Sequence, residues 1–389
     1  MRMSATTPKA EKDAARPMST GTSVYLDLVR FSAAFIVFIE HFRERTRNGL
    51  REFWGSHPFV SSHMNALSQT AVIVFFVLSG YVIAHVLATR ERTPLDYAAS
   101  RFARLYSVVV PALLLTAAAN WAIELRYPNA FDSYGHGTEL LLRYGAAAIY
   151  VNCFWLWPRI DLANAPFWSL SFEAVYYVVI ALLVFTRGHV RFLTLLALAL
   201  LAGPSIMLLA PVWLLGFAAY HVAGRGRIGP APALLLWAAS AMLLGASHVL
   251  DMEIREPLLD FMRTPHRGLG ALLAAYAAGL CFAANLLAFE PLAEAAEKLL
   301  RPFTGAIRWL GSMTFALYLF HQPLISLALV YPIFDRYSAA HVAWMLCGTL
   351  AVVATIGRFC EQSKSTYKAI FLSAWRGAAY LRGRYLAGA

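Results

Sequence analysis

"YLDLVRFSAAFIVFIEHF", residues 25 to 42, is apolar enough and long enough to cross a bilayer, yet it carries Asp27, Arg30, Glu40 and His41. The surrounding chain has the same character. Of 389 residues, 59% are hydrophobic and 14% charged, against about a quarter charged in soluble domains. In lipid only helices and closed barrels satisfy every backbone group, and apolar stretches of about twenty residues without period-two alternation select helices. The chain therefore reads as an all-α, polytopic transmembrane helical bundle.

The hydropathy pattern predicts about ten spans: 24 to 42, 68 to 88, 105 to 123, 168 to 186, 192 to 208, 211 to 223, 232 to 249, 269 to 289, 308 to 330 and 341 to 360. Proline and glycine within 203 to 212, "GPSIMLLAPV", make the fifth and sixth a candidate bent hairpin. Residues 140 to 157 are ambiguous between an eleventh span and a partly inserted segment. With ten spans and the N-terminus inside, inside segments collect 20 of the 33 Lys and Arg and outside segments 11, while Arg30 and Arg358 lie within spans. The positive-inside rule then places both termini in the cytoplasm. Residues 1–22 are expected to form a disordered cytosolic tail, 23–361 the transmembrane domain and 362–389 a basic cytosolic C-terminal tail.

The net charge of +11 is spread over loops rather than gathered in a soluble domain, which argues against nucleic acid as a partner. Cys153, Cys281, Cys347 and Cys360 sit singly in apolar runs, without the spacing of a disulfide framework or a zinc site. They read as core packing, and no metal is expected.

The charged positions are the candidates for chemistry. Arg30 and His41 are eleven residues apart, just over three turns, so they share one stripe of the first helix about 16 Å apart along its axis. Asp27, one turn before Arg30, reads as its structural ion-pair partner. Ser79, Gly80 and Tyr81 in "FFVLSGYVIA" supply two donors and a close-approach point, though on their own they read first as a packing notch. Arg101 and Arg104 form an arginine pair fit for a phosphate, or ordinary positive-inside anchors. In "FWSLSFE", 167 to 173, Trp168 stands at the interface, with Ser169, Ser171 and Glu173 following. Ser169 is placed to bond Glu173, and Glu173 lies in the same half of the bundle as His41. "ALYLFHQPL", 316 to 324, sets His321 just before Pro323, which frees a carbonyl near residue 319 for His321 to satisfy; substrate binding is its other reading.

Arg30 and His41, "FFVLSGYVIA", "RFARLY", "FWSLSFEAVYY" and "YLFHQPL", taken in order, resemble the acyltransferase-3 family nearly end to end. Ala174 departs from the acidic or glutamine residue that many members carry after the glutamate. The resemblance implies an integral membrane O-acyltransferase that moves an acyl group, commonly acetyl from acetyl-CoA, onto hydroxyls of cell-surface glycans or lipid-linked sugars. It implies catalytic roles for His41, Glu173 and Arg30. Donor contacts are implied for Arg101, Arg104, Ser79, Gly80 and Tyr81, and acceptor contacts for Trp168, Ser169, Ser171 and His321. It also implies membrane lipid as a partner and the bacterial plasma (inner) membrane as location. The stretch after Glu361 is too short for a fused hydrolase-like domain, so the stand-alone type is expected. Asp27, Arg30, Glu173 and His41 as a proton or solute relay in a transporter or flippase is the competing class, and acyl-CoA consumption separates the two.

Overall fold

The computed structural model describes residues 18–46, 58–130, 137–155, 163–223, 228–262, 269–336 and 338–387. These residues are helical with short connections. The helices are α1 (Thr20–Thr46), α2 (Pro58–Thr89), α3 (Pro94–Arg126), α4 (Thr138–Ala148), α5 (Trp168–Phe185) and α6 (Gly188–Ala202). They continue as α7 (Pro204–Val222), α8 (Pro230–Met262), α9 (Leu269–Phe289), α10 (Ala293–Leu300), α11 (Thr304–Val330) and α12 (Ala339–Ala387). Among the described residues, seven helical segments are long and apolar enough to cross a membrane, one of them running from Leu272 to Val330 through α9, α10 and α11. The chain is a polytopic helical bundle.

Each expected span coincides with helix, but the fifth ends earlier than expected. The chain breaks at Gly203, whose φ of +88° suits only glycine, and Pro204 opens the next helix. The expected fifth span thus corresponds to α6, an apolar helix of 15 residues shorter than the seven spanning segments, and the expected sixth to α7, which begins at 204. The ambiguous stretch after residue 140 holds α4, which at 11 residues rises only about 16 Å and is too short to span. Of the expected N-terminal tail, residues 1–17 lie outside the described residues and 20–22 are already helical. Residues 362–387 continue α12 as helix. Cys360 is buried as expected, whereas Cys347 is exposed.

Two helices organise the interior. α1 packs on α2, α10 and α11, while α2 packs on α1, α5, α7, α8 and α9. The crossing of α2 and α7 is set by glycines: a Cβ on Gly80 would stand 2.1 Å from the Trp213 carbonyl oxygen, and one on Gly216 1.7 Å from that of Val77. Backbones this close exchange dispersion that side chains would prevent. The start of α1 is fixed to α8 and α9 by a buried network. Tyr25 donates its hydroxyl to Asn285 Oδ1 and accepts from Trp237 Nε1, while Asn285 Nδ2 donates to the Trp237 carbonyl and Ser240 Oγ. Pinning residue 25 in this way sets the rotation of the helix that carries Asp27, Arg30 and His41.

Candidate functional site

A cavity of about 540 Å³ opens where α1, α3 and α11 begin and α2 ends. Arg90 is exposed at its outer end. Its α2 wall runs from Val86 to Val72, roughly 21 Å at 1.5 Å per residue, and its α11 wall from Arg308 to Tyr318, roughly 15 Å. The two ends differ chemically. Arg30, Arg90, Arg101, Arg104, Arg308 and Lys364 line it together with Asp27, Glu173 and Glu361, six cations against three acids. Val72, Phe75, Phe76, Leu170 and Phe315 give the walls an apolar character, and Ser169 and Tyr318, joined by a 2.9 Å hydrogen bond, lie at the inner end.

The groups singled out on α1 find partners in three separate places. Arg30 Nη2 donates to Asp27 Oδ1 at 2.7 Å and to the Gly311 carbonyl at 3.1 Å. The expected Asp27–Arg30 pair is thus present, and Arg308 of α11 joins it by donating to Asp27 Oδ2 and Ser23. Farther along, Arg43 binds both carboxylate oxygens of Glu40 at 2.7 Å, with both side chains buried. His41 is paired with His321 of α11.

Glu173 lies on the cavity wall, not beside His41. Its Oε1 accepts from Ser79 Oγ at 3.1 Å and from the Tyr177 hydroxyl, and Arg104 stands within charge–charge reach. Ser169, expected to bond Glu173, instead donates to the Pro166 carbonyl or pairs with Tyr318. Helical rotation explains which motif residues face the cavity. On α2, Ser79 and Val82 line it, whereas Gly80 and Tyr81, placed at a donor site by the sequence, turn toward α7: Gly80 meets Trp213, and Tyr81 packs edge-on to Tyr220 at 5.5 Å. On α5, Ser171 points away to accept nothing from the cavity and donates to Asn152 Oδ1 at 2.6 Å, while Trp168 packs against Phe76 and Phe172. Arg101 reaches the cavity but is committed to Glu91 at 2.8 Å and lies 5.5 Å over the rings of Tyr97 and Tyr177.

His321 is wholly buried, packed edge-on to Phe38, so it is no open acceptor subsite. Its Nδ1 stands 2.8 Å from the Leu317 carbonyl oxygen and its Nε2 3.1 Å from His41 Nδ1, which is also 3.1 Å from the Val37 carbonyl oxygen. Nor does His321 satisfy the carbonyl freed by Pro323. Asn164 Nδ2 donates to Leu319 O at 2.9 Å, and the Ala165 N–H is held by Gln322 Oε1, so the segment before α5 clamps the bend of α11. Arg30 and His41 share a stripe but not a chamber: the cavity includes Arg30 and ends at Tyr318, one turn short of His321.

Several lining residues were not singled out from sequence. Tyr177 lies four residues after Glu173 and Tyr318 three before His321, so i, i+3 and i, i+4 spacing within the quoted motifs was the available signal. Arg308, Glu361 and Lys364 gave none, since they read as span-flanking charges. No group of His, Cys, Asp and Glu among the described residues is arranged to hold a metal.

The cation-lined cavity thus ends one helical turn short of the His41–His321 pair. The family model described as an acyltransferase domain, Acyl_transf_3, matches residues 23–358, and the chain belongs to this acyltransferase-3 family. No curated protein and no solved structure matches it.

Proposed function

We propose that this protein is an O-acyltransferase that takes an acyl group, acetyl by family default, from cytoplasmic acyl-CoA and places it on a hydroxyl of a cell-surface glycan or lipid-linked sugar at the bacterial plasma membrane. The observation that carries this reading is a cavity lined by six cations together with Val72, Phe75, Phe76, Leu170 and Phe315, ending one helical turn from the His41–His321 pair. Phosphates suit the mouth, where Arg90, Arg104, Arg308 and Lys364 are gathered. An uncharged arm carrying a thioester suits the interior, passing Ser79 and Thr314 on its way to Tyr318.

In this scheme Glu173 balances Arg104 and orients Ser79 and Tyr177 rather than touching the reacting atoms. His41 is the general base for the acceptor hydroxyl. Because the Ser169–Tyr318 hydrogen bond closes the inner end, transfer requires that pair to part as the thioester advances.

The test is reconstitution with labelled acetyl-CoA and fractionated envelope glycans, following free CoA and the destination of the label. An enzyme releases CoA only with acceptor present, whereas a transporter consumes none. His41→Ala should lower the rate by on the order of 10² to 10⁴ while CoA still binds. Wild-type turnover in a folded His41→Ala protein would remove His41 from the chemistry.

A further inference from the structure

The contacts of the two imidazoles determine where their protons sit. A carbonyl oxygen only accepts, so His321 Nδ1, 2.8 Å from Leu317 O, must carry a proton. Neutral His321 then has a bare Nε2. His41 Nδ1 faces that bare nitrogen and the Val37 carbonyl, each at 3.1 Å; both are acceptors, so it too carries a proton and shares it between them. The nitrogen of His41 left without a proton is Nε2. His321 is fully buried, while His41 remains partly accessible, so of the pair only His41 can meet a substrate.

We infer that His321 is a positioning residue: together with the Val37 carbonyl it holds His41 as the Nδ1–H tautomer and so presents Nε2 as the proton acceptor for acyl transfer. The catalytic half of this inference rests on the role proposed above for His41; the tautomer half does not. As the acceptor oxygen bonds to the thioester carbonyl carbon, its proton passes to His41 Nε2. When the C–S bond breaks, that proton goes to the departing thiolate, leaving an ester and free CoA. Between these events His41 is a cation, and its Nδ1–H bonds to Val37 O and His321 Nε2 become charge-assisted and stronger. A carboxylate would orient the base equally well, as in hydrolase triads. Inside a membrane span, however, it would add a buried charge, and those are costly. A neutral imidazole fixes the same tautomer without that charge. Phe38, edge-on to His321 at 5.9 Å, limits rotation of the ring.

The experiment is nitrogen NMR of the full chain, labelled with ¹⁵N-histidine, in lipid nanodiscs, with the His41 signals identified by their loss in His41→Ala. Wild type is expected to show a protonated Nδ1 and a bare Nε2 at His41. His321→Phe keeps a ring but leaves Val37 O as the sole acceptor for His41 Nδ1–H, so the Nε2–H form should gain population at the expense of the Nδ1–H form. In the same variant kcat should fall by on the order of 10², with KM for acetyl-CoA held within about twofold. His321→Gln retains an acceptor and should restore the Nδ1–H form together with much of kcat. A wild-type spectrum with the His41 proton on Nε2 would overturn the inference, as would a His321→Phe protein with unchanged tautomer and kcat. Should His321→Phe not fold, the wild-type spectrum and His321→Gln still decide. If wild type transfers no acyl group, the spectrum judges the tautomer while the function proposed above fails on its own.

Discussion

Asp27 is a carboxylate held between two arginines from different helices, and this helps α1 tolerate Arg30 so far from its end. Arg30 also lies within charge–charge reach of Arg104 and Arg308, so without Asp27 three cations would face one another. Asp27→Asn keeps the shape and one acceptor while removing the charge. Since the pairs are partly accessible, with 15% of the Asp27 side chain exposed, full burial penalties do not apply. A stability loss of about 2 kcal/mol is expected, the scale of hydrogen bonds to charged groups. CoA affinity should move the other way or stay level, because the cavity becomes more positive. Thermal unfolding in detergent beside CoA titration checks both, and parallel losses would contradict this account.

At the scale of elements, the bend of α11 is maintained from outside the helix. Pro323 leaves the Leu319 carbonyl without its intrahelical donor, and Asn164 supplies one from the segment before α5. Asn164→Ala should therefore destabilise by about 1 kcal/mol, in the range of interhelical hydrogen bonds in membranes. Asn164 Nδ2 also donates to Thr116 Oγ1, but Pro323→Ala returns an N–H to Leu319 O, so in the double variant the Leu319 share of that loss should vanish. A double-mutant cycle with no coupling between the two positions would reject the clamp. The existence of these elements was legible in the sequence because lipid admits few alternatives to an apolar helix. Their ends were less so: the break fell at Gly203, where a positive φ and the following proline coincide, rather than a few residues later. Which helix faces which was not legible. Glu173 pairs with Ser79 across 94 positions and His41 with His321 across 280, and no local periodicity records such partners.

At the scale of the whole molecule, the cavity gathers its excess of cations from four helices and a loop. Residues beyond the family match belong to that field: Glu361 and Lys364 of α12 line the cavity and pair with each other at 2.5 Å, and Phe371 packs on Phe102 of α3, holding this part of α12 against the site. If the cavity binds the phosphates of CoA through its summed field, the two partners of this pair must act with opposite sign. Lys364→Met should weaken CoA binding by roughly two- to fivefold, the scale of one partly exposed charge. Glu361→Gln should tighten it by a similar factor, and both effects should shrink as salt shortens the screening length. Calorimetry in detergent at low and high ionic strength reads this directly. A general folding defect would weaken binding in both variants, so only the opposed pair of shifts supports an electrostatic donor site, and two losses of equal sign would refute it.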